Sequence, residues 1–112
     1  MIIRSIKESP NDENPHKVEV RKLYDHKNAQ VMHLVLLPGQ SLKPHFTPVD
    51  VFFNVLEGSP EFRVGDEKET VEKDNLIESP KNVVHCISNQ SGSVAHILVV
   101  KAPKQMDKSV LL

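Results

Sequence analysis

Short apolar runs separated by turn residues are the feature that most constrains the fold of this chain. Val, Ile, Phe and Leu cluster in runs a few residues long, and Pro, Gly, Asn or Asp stands between one run and the next. A helix would need apolar residues that recur every three or four positions, and that periodicity is weak throughout. Many short strands with a turn signal about every eight to twelve residues predict an all-β sandwich or barrel.

Ten strands are predicted from these runs, and prolines at their edges support the boundaries. Pro38, Pro48 and Pro80 stand between runs, where a missing backbone N–H does not interrupt a sheet. The turn residues at 25–28 and 65–67 predict hairpin tips. The predicted strands lie near residues 2–6, 17–24, 30–37, 41–46, 50–57, 60–64, 69–72, 75–79, 82–88 and 93–101.

The length of the chain predicts a single domain. Residues 1–112 are assigned to it, with a barrel core over about 17–103, a short N-terminal strand and a C-terminal tail. The tail after Pro103 carries apolar residues. We expect it to pack as a turn of helix or against a partner chain. Its apolar residues are Met106, Val110, Leu111 and Leu112.

Charge and cysteine content exclude several classes of protein. Fourteen Lys and Arg against fifteen Asp and Glu leave a net charge of -1, so neither nucleic acid nor a membrane surface is expected as a partner. The longest apolar stretch, 34–37, is far too short to span a bilayer. Cys86 is alone and the N-terminus has no long apolar stretch, which predicts a reducing, cytoplasmic location.

One predicted strand is apolar on both of its faces. Residues 31–37 read Val-Met-His-Leu-Val-Leu-Leu, whereas a strand with one wet face would alternate between apolar and polar residues. Both faces would be covered, either by a second sheet and another subunit or by a chain terminus. We therefore expect a homodimer.

Two segments together resemble the motifs of the cupin family. The first family motif reads G-x5-H-x-H-x3-4-E-x6-G, and residues 38–58 match it at Gly39, at His45 and at the final Gly58. The second motif reads G-x5-P-x-G-x2-H-x3-N. Residues 74–89 match it at Pro80, His85 and Asn89, with Asp74 and Asn82 in the two glycine positions. Asn is the next best residue after Gly for a left-handed turn.

The resemblance implies a fold and a site. The fold is a small jelly-roll barrel, also called a double-stranded β-helix. Metal-binding cupins take two His and a Glu from the first motif and one His from the second. Here Thr47 and Val51 stand where the second His and the Glu would be, so only His45 and His85 remain.

A single divalent transition metal would therefore need at least one further ligand. Two imidazoles alone make a weak site, because a divalent metal usually has three or four protein ligands. His33 and His96 are the candidates for the third. His16 and His26 are assigned to polar loops or strand edges and receive no role.

Alternation along the strands predicts the lining of a ligand pocket. If His45 faces the interior, the resemblance puts Thr47, Val51 and Phe53 on the same side. These residues would form an apolar wall with one hydroxyl, which suits a small organic ligand.

Three functions remain open, and whether the protein is an enzyme stays undecided. The first is a small-ligand binder whose metal site is incomplete. The second is a metal-dependent oxygenase, isomerase or decarboxylase that uses His45, His85 and a third ligand. The third is a metal-free epimerase or isomerase with one of these two histidines as general base.

Overall fold

The computed structural model describes residues 1–105 and 110–111, and every regular element in them is a β-strand. No helix in the described residues is long and apolar enough to cross a membrane. The strands are β1 (Glu19–His26), β2 (Ala29–Leu36), β3 (Ser41–Phe46), β4 (Val51–Glu57), β5 (Glu61–Val64), β6 (Glu67–Thr70), β7 (Leu76–Ser79), β8 (His85–Ser88), β9 (Ala95–Lys101) and β10 (Val110–Leu111).

The strands form two five-stranded sheets with antiparallel pairing throughout. Sheet A has the order β1-β2-β9-β4-β7, and sheet B has the order β10-β3-β8-β5-β6. Strands distant in sequence, such as β2 and β9, lie side by side, so the chain crosses between sheets as in a jelly roll. The predicted all-β jelly-roll fold is confirmed.

The core lies between the two sheets and follows the alternation of the strands. On β9 the residues Ala95, Ile97 and Val99 are buried, and their neighbours are more exposed. Sheet B contributes Leu42, Phe62 and Ile87 to the same apolar cluster. Burial of these side chains is the main source of stability, at about 1.5–3 kcal/mol for each large residue.

The N-terminal strand expected near 2–6 is not formed. Met1, Ile2 and Ile3 are exposed, and the backbone N–H of Ser9 donates to the carbonyl of Ser5 at 3.0 Å in a local turn. The segment first meets the sheet further on, at an isolated bridge between Asn11 and Arg21. Its hydrogen bonds are local rather than shared with a neighbouring strand, which is why alternation alone mispredicted it.

Several strands begin two or three residues away from the expected positions, and the structure gives the reason for β6 and β8. β6 starts at Glu67 because only two residues, Gly65 and Asp66, turn the chain back from β5. β8 starts at His85 rather than near 82 because a turn precedes it, in which the N–H of Val83 donates to the carbonyl of Pro80 at 3.2 Å. The expected hairpin tips at 25–28 and 65–67 are confirmed.

The C-terminal tail adds a strand to sheet B. β10 pairs with β3, with Val110 opposite Phe46 and Leu111 opposite His45. The expected turn of helix is therefore wrong for these residues. Met106 and Leu112 lie outside the described residues.

The residues in the two glycine positions of the second motif adopt left-handed backbone. Asp74 has φ 69° and Asn82 has φ 63°. Short polar side chains tolerate this conformation better than other non-glycine residues. The left-handed turn expected at Asn82 is therefore confirmed.

Candidate functional site

A cavity of about 670 Å³ opens between the two sheets. Its size lies within the range of small-molecule sites, about 300–1,000 Å³. Thr47, Val51 and Phe53, the residues selected from the sequence, all line it. The apolar part of the wall also includes Val20, Met32, Leu34, Leu42 and Val99, and the remaining lining residues are Glu13, Asn14, Pro15, His16, His45, His85, Lys101 and Gln105.

An irregularity in β3 turns His45 into this cavity. Leu42 pairs with Ile87 and His45 pairs with His85, so the register shifts between Leu42 and His45. The extra residue lets side chains three positions apart face the same side. Pro44, which has no N–H to give to the sheet, lies within the shift.

The backbone N–H and carbonyl of Lys43, which lies within this register shift, form hydrogen bonds with two imidazoles. Its N–H donates to Nδ1 of His16 at 2.8 Å, and its carbonyl lies 2.7 Å from Nδ1 of His45. A carbonyl only accepts, so Nδ1 of His45 carries the hydrogen. Nδ1 of His16 accepts, so the hydrogen of neutral His16 is on Nε2.

A series of hydrogen bonds continues from His45 in sheet B to Ser79 in sheet A. The Nε2 atoms of His45 and His85 are 3.2 Å apart, and Nδ1 of His85 is 2.7 Å from the Ser79 hydroxyl. Since Nε2 of neutral His45 has no hydrogen, His85 must donate from its own Nε2. Nδ1 of His85 then accepts from the Ser79 hydroxyl. The tautomers of His45 and His85 therefore both follow from the Lys43 carbonyl, at which this series of hydrogen bonds begins.

Burial keeps these imidazoles uncharged at neutral pH. The pKa of His85 is lowered to about 4, mainly by loss of hydration, with smaller electrostatic effects of His45, Lys101 and His16. Loss of hydration also lowers the pKa of His16 to about 4, with smaller effects of His45 and Lys43. The pKa of His45 is lowered for the same reason, although its bond to the Lys43 carbonyl opposes the shift.

The donor set does not fit the metal site of a metal-binding cupin. Two imidazole nitrogens bound to one zinc ion at about 2.0–2.1 Å would lie roughly 3.0–3.4 Å apart. The Nε2 atoms of His45 and His85, at 3.2 Å, are within this range. A third ligand is missing: within residues 1–105 no group of three His, Cys, Asp or Glu side chains is arranged to hold a metal ion. His16 does not supply it, because its Nδ1 is bonded to Lys43 and its neutral Nε2 carries a hydrogen.

The structure places His33 and His96 away from this pair. Nδ1 of His96 lies 3.2 Å from Nε2 of His33, on adjacent strands of sheet A. Their neighbours Leu34 and Ile97 belong to the core, so by alternation both histidines occupy the outer face of the sheet. Neither therefore reaches His45 or His85.

The sequence analysis missed several polar residues of the cavity, of which Lys101 and His16 matter most for its chemistry. Lys101 continues the inward series of β9, two positions after Val99, so alternation was a signal that could have found it. No such signal exists for His16, which lies in an irregular loop. Its ring centroid is 4.9 Å from that of His45.

Comparison with known proteins agrees with this architecture. A family model described as "Cupin domain" matches residues 32–101. The crystal structure of TT1209 from Thermus thermophilus is similar, with 31% sequence identity, a TM-score of 0.79 and coverage of 92% of this chain and 98% of that one.

Two further relatives support the same fold. A protein of Methanocaldococcus jannaschii, MJ0764, is 28% identical over 85 residues, which are 75% of this chain and 73% of that protein. Its crystal structure, described as an RmlC-like cupin with a double-stranded β-helix fold, gives a TM-score of 0.74. The polyketide cyclase RemF from Streptomyces resistomycificus is 21% identical with a TM-score of 0.85, over 100% of this chain and 85% of its own, a likeness of fold alone.

Proposed function

The chain belongs to the cupin family, and from that premise we propose that it binds a small organic molecule in the cavity between its sheets, with the family's metal site left incomplete. The observation that carries the proposal is the cavity itself. It joins an apolar wall around Phe53 to a polar end that contains His45, His85 and Lys101. Apolar walls with a few placed polar groups are typical of ligand sites.

The hydrogen bonds of the polar end support binding without a metal ion. Nε2 of His45 accepts from His85, and Nδ1 of His85 accepts from Ser79. Each imidazole is therefore satisfied by protein groups alone. A general base needs a free lone pair near the ligand, so this arrangement does not favour a metal-free acid–base enzyme.

A metal-dependent enzyme is the second candidate, and the spacing of the two Nε2 atoms favours it. At 3.2 Å, both could bind one ion if Ser79 turned its hydroxyl to accept from His85. Such an ion would add Lewis-acid or redox chemistry at the cavity end. The hypothesis still requires at least one ligand in addition to these two.

Metal analysis of protein purified without a His-tag or chelator separates the two candidates. For the ligand binder we expect far less than one transition metal ion per chain, in both the natural protein and a His45→Ala/His85→Ala variant. Near one ion per chain in the natural protein, lost in the variant, would overturn the proposal and favour the metal enzyme. The exposed His26 provides the matched control, as His26→Ala.

Ligand binding itself is tested by screening small organic molecules against labelled protein by NMR. We expect hits to shift the signals of Met32, Val51 and Val99, which line the cavity. If no compound moves these signals, or if hits map to the outer faces of the sheets, the proposal fails.

A further inference from the structure

Lys101 brings a positive charge into the cavity, and the described residues supply no partner of opposite charge. It is half-buried at the end of β9 and lines the cavity beside Val51 and Val99. Its Nζ donates to Oε1 of Gln105 at 2.6 Å, and that oxygen is neutral. None of the ion pairs formed by the described residues includes Lys101.

The imidazoles around Lys101 leave no acceptor for a ligand. The bare nitrogens of His16, His45 and His85 already accept from Lys43, His85 and Ser79 respectively. The imidazole hydrogen still available is the one on Nε2 of His16, for which the described chain shows no acceptor. The basic side chains of this end therefore present hydrogen-bond donors, which suit a ligand group that only accepts.

Most of the rest of the wall is apolar, with Asn14, Thr47 and Gln105 as its uncharged polar residues, and its acidic residue, Glu13, is at the margin. Val51, Phe53 and Val99 contribute side chains without hydrogen-bonding groups, whereas Glu13 is exposed, where water screens its charge. Loss of hydration lowers the pKa of Lys101, with a smaller effect of Lys22, so a bound anion would relieve a real electrostatic penalty.

From this arrangement we infer that the ligand is a small organic acid, whose carboxylate binds the Lys101 ammonium group and whose apolar body lies against Val51, Phe53 and Val99. The inference rests on the proposed ligand-binding function and names its chemical class. Hydrogen bonds between charged groups are about twice as strong as neutral ones, so the carboxylate dominates the selection of the ligand. Nε2 of His16 supplies the second donor.

The test compares carboxylic acids with amides of the same shape. We titrate the protein near neutral pH with a panel of aryl and cycloalkyl acids and with their amides, for example 2-naphthoate and 2-naphthamide. Binding is followed by calorimetry and NMR. We expect each acid that binds to bind at least about tenfold more tightly than its amide. In Lys101→Met this preference disappears, while the affinity for the amide stays the same and shows that the cavity is intact.

Two further variants serve as controls. Lys101→Arg keeps the charge and should keep the preference for acids. Lys68→Met removes a charge from β6, where the side chain is 62% exposed, and should leave all affinities unchanged.

The possible outcomes separate this inference from the function on which it rests. Amides that bind the natural protein as tightly as their acids would overturn the carboxylate inference and leave ligand binding intact. A preference for acids that survives in Lys101→Met would also overturn the carboxylate inference and leave ligand binding intact. If no member of any pair shifts the signals of Met32 or Val99, both the inference and the ligand-binding function are overturned.

Discussion

The backbone of Lys43 organises the polar end of the cavity at the scale of single residues. One N–H and one carbonyl fix the ring orientation of His16 and His45, and so the tautomer of each. The tautomer of His85 follows from that of His45, because the two share a hydrogen bond. The Lys43 side chain is exposed and takes no part in these bonds.

Stability should fall as the pH is lowered from about 6.5 to about 4. In this window the unfolded chain protonates His16 and His85 at their ordinary pKa, while the folded chain, with both pKa values lowered to about 4, does not. Protons bound by the unfolded state stabilise that state. For His85 the loss is on the order of 3 kcal/mol, at about 1.4 kcal/mol for each pKa unit.

Urea unfolding at a series of pH values measures this loss. His85→Leu should make the decline less steep, because it removes one of the two groups that cause it and leaves His16. His26→Asn, a change of an exposed residue in β1, should leave the decline unchanged. An equally steep decline in His85→Leu would refute the assignment to His85.

Ser79→Ala should destabilise the fold by about 1–3 kcal/mol, since it leaves Nδ1 of a buried imidazole without its donor. Nitrogen NMR of the natural protein should also show His45 with its hydrogen on Nδ1 and His85 with its hydrogen on Nε2. Ser88→Ala, on β8 of sheet B, is the control and should lower the free energy of unfolding much less. A hydrogen found on Nδ1 of metal-free His85 would contradict the proposed chain of bonds.

At the scale of strands, register irregularities and turns position the site. The shift in β3 brings His45 to the same face as Leu42, and the turn before β8 brings His85 opposite it. Tight packing at the other end of the barrel depends on Gly58. A side chain there would place its Cβ 2.7 Å from the Val94 carbonyl oxygen and 2.9 Å from Cα of Ala95.

A comparison of two glycines separates backbone strain from steric overlap. Gly58 and Gly39 have similar backbone, with φ of +86° and +89°, but nothing lies within 4 Å of a Cβ on Gly39. Gly39→Ala should lower the free energy of unfolding by about 1–2 kcal/mol, because alanine is strained at this positive φ. Gly58→Ala should lower the free energy of unfolding by at least about 2 kcal/mol more, because its Cβ would overlap with the backbone of Val94 and Ala95. Equal losses in urea unfolding would rule out the steric explanation.

Alternation predicted the parts of the site that lie on regular strands. Val51 and Phe53 line the cavity as expected because β4 is regular over both. The same rule was sufficient for Lys101, two positions after Val99 on β9, but it was not applied to that residue. His16 could not be predicted, since it reaches His45 through an irregular loop and a single backbone hydrogen bond to Lys43.

Considered as a whole, the molecule has one packed end and one open end. Where β2 and β9 meet at Leu36 and Ala95, the interior is closed, and the buried amide of Asn89 donates to the Leu36 carbonyl at 2.8 Å. At the opposite end, the same two strands reach Met32 and Lys101 beside the cavity. The apolar core thus extends from the closed end to the cavity, where Val51, Phe53 and Val99 belong to both.

The homodimer expected from β2 stays a prediction at this scale. The outer face of sheet A carries apolar residues that the fold only partly covers, among them Phe52, Leu98 and Val100. Sedimentation at increasing concentration should show a dimer, and Leu98→Lys should shift it towards monomer. The control Thr70→Lys, on the exposed strand β6, should leave the dimer unchanged. A natural protein that sediments as a monomer at every concentration would refute the prediction.

The difference between the two ends of β9 has a consequence for how such a protein can change over evolutionary time. Substitutions near Ala95 and Gly58 meet backbone at close range, so most of them would be lost through misfolding. Substitutions of His16 and Lys101 change the lining of the cavity, so they would mainly alter which molecules are accepted. A lineage with this architecture can therefore acquire new specificities at one end without first rebuilding the other.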